Sequence, residues 1–220
     1  MKTAVLSIAI AAGVAQAGTA TITQMDSFSG TPDFERVSTF DKFDASLGTL
    51  TGVEISLMLT IDGGFLAVDN DGIGPAIADV EFGASGELSS TDVTLFPVPS
   101  VTTSNMTTFN LDADDGDGSG VQNTGGDFGV LNGVLTVNSS TTNINPVFFG
   151  DYIGAGDTFD TLADIDQIID FGGVSGIAGE FGPQTADLKV TVVYTYIPIP
   201  APGAMALLGL GGLVAARRRR

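Results

Sequence analysis

The run "TGVEISLMLTI" (Thr51–Ile61) decides the fold class. Val53, Ile55, Leu57, Leu59 and Ile61 fall on one side of an extended chain, and Glu54, Ser56, Met58 and Thr60 on the other. This is the period-2 alternation of a strand with one buried face. "LKVTVVYTYI" (Leu188–Ile197) repeats it, with Leu188, Val190, Val192, Tyr194 and Tyr196 on one face and Lys189, Thr191 and Thr195 opposite. Shorter apolar runs around Ile22 and at Phe65–Val68, Val80–Phe82, Val93–Val98 and Val130–Val137 are set off by Gly, Asp, Asn and Pro. About eight strands at this spacing predict an all-β fold, an antiparallel β-sandwich of jelly-roll-like form. "FDTLADIDQIID" (Phe159–Asp170) leaves two readings open, because Phe159, Leu162, Ile165, Ile168 and Ile169 are also spaced for a helix.

Composition narrows the chemistry. The 220 residues contain no Cys, His or Trp, which removes disulfides, thiolate nucleophiles, Ser-His-Asp triads and His-based metal sites. Five of the eight cations are Lys2 and Arg217 to Arg220, at the extreme ends. Between them Arg36, Lys42 and Lys189 face 26 acids, a formal charge of −23. Such a body repels phosphate backbones, so no nucleic-acid partner is expected. With 26 acids, some carboxylate pair always meets the spacing of a glycosidase, so that spacing carries no signal. No enzymatic activity is expected.

The ends read as processing segments. In "MKTAVLSIAIAAGVAQA" Lys2 precedes an apolar stretch, and Ala15-Gln16-Ala17 closes it as an A-x-A cleavage site, so residues 1–17 are expected to be a signal peptide. At the other end Pro198, Pro200 and Pro202 forbid a helix before about Gly203. The 14 uncharged residues from Gly203 to Ala216 span about 21 Å as a helix, short of the roughly 30 Å hydrocarbon core. Arg217, Arg218, Arg219 and Arg220 then act as a cytoplasmic stop. The division expected is 1–17 leader, 18–197 body and 198–220 tail, with the tail lodged transiently in the inner membrane.

The tail "IPAPGAMALLGLGGLVAARRRR" (Ile199–Arg220) resembles the PEP-CTERM sorting signal, in which a Pro-Glu-Pro-like motif, an apolar segment and a basic end are read by a membrane exosortase. Here Pro200-Ala201-Pro202, followed by Gly203, occupies the motif, with Ala201 where that family carries Glu. The resemblance implies an exosortase-like processing enzyme and delivery to the surface or extracellular matrix; a simple membrane anchor is the alternative. In the body, "FDASLGTLTGVEISL" (Phe43–Leu57), "YIGAGDTFD" (Tyr152–Asp160) and "VTVVYTYIPIPAP" (Val190–Pro202) are similar to the choice-of-anchor E domain, an extracellular bacterial module for which no catalytic residues are implied. The functional expectation is a structural or adhesive surface protein. The alternatives are a module binding envelope or extracellular polysaccharide and, more distantly, a glycoside hydrolase.

One acidic stretch has metal-loop spacing. In "DADDGDGSG" (Asp112–Gly120), Asp115, Asp117 and Ser119 followed by Gly120 match the first half of a calcium loop, and Asp112 lies just upstream. Position 12 is Gly126, with Asp127 one residue late. "VDNDGIG" (Val68–Gly74) adds Asp69, Asn70 and Asp71. Calcium is the candidate ion; solvated Asp-Gly turns are the alternative.

Overall fold

The computed structural model describes residues 18–199 except Asn123 and Val174. The cleavage residues Ala15 and Ala17 and the tail from Pro200 to Arg220 lie outside them. The described chain is mostly β and antiparallel. Its strands are β1 (Ala20–Gly30), β2 (Phe34–Asp41), β3 (Gly48–Asp62), β4 (Phe65–Asn70), β5 (Ala76–Ser89), β6 (Ser100–Leu111), β7 (Phe128–Asn132), β8 (Thr136–Asn143), β9 (Thr158–Asp170), β10 (Ile177–Gly182) and β11 (Thr185–Pro198). A 3-10 helix covers Pro146–Tyr152, with Asn145 capping its first turn by accepting from the Val147 N–H.

Two four-stranded sheets, ordered β1-β11-β3-β8 and β2-β9-β5-β6, enclose a common core. The alternation of the opening run holds: Val53, Ile55, Leu57, Leu59 and Ile61 are buried between Leu188, Val190 and Tyr194 of the neighbouring strand and Ala84, Leu88 and Ile165 of the facing sheet. A third sheet, β10-β4-β7, continues the first. β3 runs into β4 through Gly63-Gly64, β7 into β8 through Gly133–Leu135, and β10 into β11 through Pro183-Gln184. Those breaks line up as a crease. The Gly133 N–H donates to the Gly64 carbonyl at 3.0 Å, and a β-carbon on Gly64 would lie 2.8 Å from the Gly182 carbonyl oxygen. The crease folds β4 over the far half of β5, where Leu66, Val68, Ala78, Val80, Phe82 and Leu111 form a second, smaller core.

The edges of the two large sheets are joined by side chains. On one side Gln24 bonds to the Asp41 backbone and the Ser38 hydroxyl donates to Asp26 at 2.8 Å. On the other, Asn138 donates to the Thr102 carbonyl at 2.6 Å and Thr136 to the Asn105 side-chain oxygen at 3.3 Å. The polar edge strands β6 and β8 thus gain partners without offering an open ladder.

The segment with two readings is strand β9. It pairs with β2 on one side and β5 on the other, and Phe159, Thr161, Ala163 and Ile165 face inward. Thr161 and Ala163 at buried positions disguise the alternation in the sequence. Two expected strands need correction. Val93–Val98 is a loop between β5 and β6: Val93 and Leu95 are buried, but the Thr94 N–H goes to Asp151 Oδ2 at 3.1 Å, and Pro97 and Pro99 have no N–H for a ladder. Val130–Val137 is not one strand, because the crease at Gly133 splits it between two sheets.

Candidate functional site

The strand registers carry the chain to an acidic corner at the end of the molecule opposite Pro198. β11 reaches Pro198 beside Gly48, and near that end Tyr194 donates to the Asp41 carbonyl, beside the start of β9. β5 leaves that half of the molecule at Ser89, paired with Leu162, and reaches Ala76, paired with Leu111, at the other end. Its 14 residues span roughly 45 Å at about 3.3 Å each. Beyond Asn70 of β4 and Leu111 of β6 lie Asp71–Pro75 and Asp112–Asp127.

Asn70 organises the corner. Buried at the end of β4, it donates from its side chain to the Gly74 and Asp112 carbonyls at 2.8 and 2.6 Å, and its side-chain oxygen accepts from the Gly72 N–H at 3.0 Å. The loops close on each other through backbone bonds from Asn70 to Asp127, Asp112 to Gly126 and Asp114 to Gly72.

Most of the carboxylates accept backbone N–H groups. Asp69 accepts from Gln122 at 2.6 Å, Asp71 from Gly120 at 3.0 Å, Asp114 from Gly116 at 2.9 Å, Asp115 from Asp117 at 3.1 Å, and Asp127 from Asp115 at 2.9 Å. Burial holds Asp69 above the ordinary carboxylate value, with smaller contributions from Asp127, Asp117 and Asp71. Desolvation, then the charges of Asp117, Asp127 and Asp114, does the same to Asp115. No Lys or Arg occurs between Lys42 and Lys189 to offset these charges.

Of the residues expected from loop spacing, Asp115 sits in the tightest cluster, but its companions are Asp114 and Asp127: one ligand atom from each lies within 4.8 Å of the others. Asp117 instead accepts from the Thr124 hydroxyl. Asp112 lies against Gly126, with Oδ2 2.3 Å from where a β-carbon there would stand, and Ser119 is exposed. Loop spacing does not mark Asp114, which stands immediately before position 1, and marks Asp127 only as an acid one position late.

A groove elsewhere, lined by Glu87, Asp92, Thr94, Val98 and Asp151, also contains carboxylates. Two of them hold backbone: Asp92 accepts from the Asp160 N–H at 2.9 Å and Asp151 from Thr94.

Fold and site together define an antiparallel β protein with one strongly acidic end. No protein-family model and no curated protein matches the chain. Among solved structures, that of infectious bursal disease virus Gx strain aligns at 11% identity over 81% of this chain and 37% of that one, with a TM-score of 0.25. The VP2 subviral particle of infectious bursal disease virus aligns at 14% identity over 96% and 55%, with a TM-score of 0.19. The chain therefore spans between about a third and somewhat over half of those chains' lengths. Such TM-scores do not establish a shared fold.

Proposed function

We propose that this is an exported, non-enzymatic β-sandwich module that a PEP-CTERM-like tail delivers to the cell surface or extracellular matrix, where it serves as a structural or adhesive component. The placement of β11 carries this reading. The strand leading into Pro198 is not an edge: it is paired with β1 over 11 residues and with β3 over 14. A pull through the tail is therefore shared in shear between two ladders in the main core. Ala20, at the start of β1, stands opposite Tyr196, so leader and tail join the body at one end and the acidic corner hangs at the other. Among the described residues no helix is long and apolar enough to cross a membrane, and in this reading the membrane segment is confined to Gly203–Arg220.

Fractionation of cells expressing the full chain tests the proposal. Replacing Arg217–Arg220 with Ser should release unclipped protein, because the 14-residue apolar stretch is too short to hold unaided. Changing Pro200 and Pro202 to Ala should leave intact, membrane-held protein. If both variants are processed and delivered like the wild type, the sorting reading is wrong.

A further inference from the structure

We propose that Asp114, Asp115 and Asp127 form a calcium site that closes the acidic corner, an assignment independent of how the protein is delivered. Each of the three carboxylates has one oxygen engaged by a backbone N–H: Asp114 Oδ1 by Gly116, Asp115 Oδ1 by Asp117 and Asp127 Oδ2 by Asp115. These bonds fix the carboxylates and leave a second oxygen on each.

Asp127 is the decisive residue. It is 1% exposed, and its Oδ1 is buried without a hydrogen-bond partner among the described residues. Leaving a buried acceptor in that state is costly, and more so when it is charged. Oδ1 is also aimed at the cluster. A β-carbon built on Gly125 would stand 2.3 Å from Asp127 Oδ1 and 2.6 Å from Asp115 Oδ2, so both oxygens border the bare flank of one glycine. Gly125 has φ +84°, so a side chain there is disfavoured by the backbone as well.

Two ionised carboxylate oxygens facing one space repel each other, and a cation between them relieves both. Among the described residues no cation provides this: Arg36 lies over the Phe28 ring, and Lys42 and Lys189 belong to the β2 end and β11, away from this corner. A single neutral donor answers one oxygen, whereas a cation answers all three. An all-oxygen, carboxylate-rich set selects a hard ion. Ligands from an irregular loop suit calcium, which accepts six to eight oxygens in variable geometry, better than magnesium, which demands a near-ideal octahedron. The site is not the linear loop of Asp115, Asp117 and Ser119, because Asp127 closes it from the far end of the segment.

The full chain in detergent, stripped with EDTA, is titrated with calcium chloride and separately with magnesium chloride at matched ionic strength. Binding heat and melting temperature are followed. Calcium should bind and raise the melting temperature by several degrees at saturation, with magnesium doing much less. Asp127→Asn retains an acceptor for the Asp115 N–H while removing charge. It should melt no lower than wild type in EDTA yet bind calcium roughly tenfold or more weakly. Asp187→Asn, exposed on β11, should retain wild-type affinity. The site is overturned if calcium does not bind, if magnesium has the same effect, or if Asp127→Asn binds calcium like wild type. It is equally overturned if Asp127→Asn lowers the melting temperature by the same margin in EDTA and in calcium, since Asp127 would then be a structural acceptor alone.

Discussion

Gln24 and Asp41 exchange two hydrogen bonds: Gln24 Nε2 donates to the Asp41 carbonyl at 2.8 Å, and the Asp41 N–H donates to Gln24 Oε1 at 2.8 Å. A side chain on β1 thus takes the place of a ladder partner and joins the edges of two sheets. Gln24 is 3% exposed, so water cannot readily replace it. Gln24→Leu should cost about 1–3 kcal/mol, chiefly by stranding the Asp41 N–H, because the carbonyl keeps the Tyr194 hydroxyl at 3.0 Å. Gln24→Asn, one methylene short, should lose a similar amount in urea denaturation. Wild-type stability in both would show that this junction contributes little.

Leu57 and Met58 are adjacent but face opposite ways. Leu57 is 0% exposed in the main core, whereas Met58 is half-buried on the outer face with Lys189 and Ser139 as cross-strand neighbours. Leu57→Asp should unfold the protein, since burying an unpaired carboxylate costs several kcal/mol against a total of roughly 5–15 kcal/mol. Met58→Asp should stay folded, with its charge opposite Lys189. Equal melting temperatures for the two would contradict the register.

Alkaline unfolding should report two phenols. Tyr152 and Tyr194 are buried and donate to the Thr94 and Asp41 carbonyls. Burial pushes both well above the ordinary value of 10, with nearby charges adding to it. The folded state therefore keeps protons that the unfolded chain releases. Their contribution is complete below pH 10 and declines above it, by at most about 1.4 kcal/mol per pH unit for each tyrosine, until the folded values are reached. Tyr152→Phe should be less stable at neutral pH, where the Thr94 carbonyl loses its donor, but its stability should fall less steeply above pH 10. Parallel pH profiles would refute this.

Gly64, in the crease, has φ +74° and almost no free space. Gly64→Ala should cost more than the roughly 1–2 kcal/mol of a left-handed backbone alone, because its β-carbon would press on the Gly182 carbonyl and the Phe82 ring. Gly63→Asn should be mild, since φ is +69° but nothing lies within 4 Å. Chemical denaturation of the pair separates crowding from backbone preference.

Strands that bury an aliphatic face were legible because hydrophobicity and pleat share a period, as in β3 and β11. β6 and β8 were not legible: "SVTTSNMTTFNL" and "TVNSSTTN" sit at sheet edges, where side-chain hydrogen bonds replace much of the apolar burial. Val93 and Leu95 failed in the opposite direction, since core contact makes a residue apolar whether or not its backbone joins a ladder. At the acidic corner the sequence exposed the Asp-Gly turns but not the partner of Asp115. Asp127 meets it only because β6 and β7 bring the two ends of the intervening loop together.

The scarcity of cations that leaves the acidic corner without a counter-charge among the described residues has a further consequence for proteolysis. Proteases that cut after Lys or Arg find no site from Phe43 through Leu188. Within residues 18–199 the three bonds they could use follow Arg36 within β2, Lys42 just beyond it, and Lys189 within β11, the strand paired on both sides. Trypsin-like enzymes should therefore leave the folded body whole, and after denaturation they should yield one long fragment from Phe43 to Lys189. A body built this way owes its resistance to proteases of basic specificity to amino-acid usage as well as to fold stability.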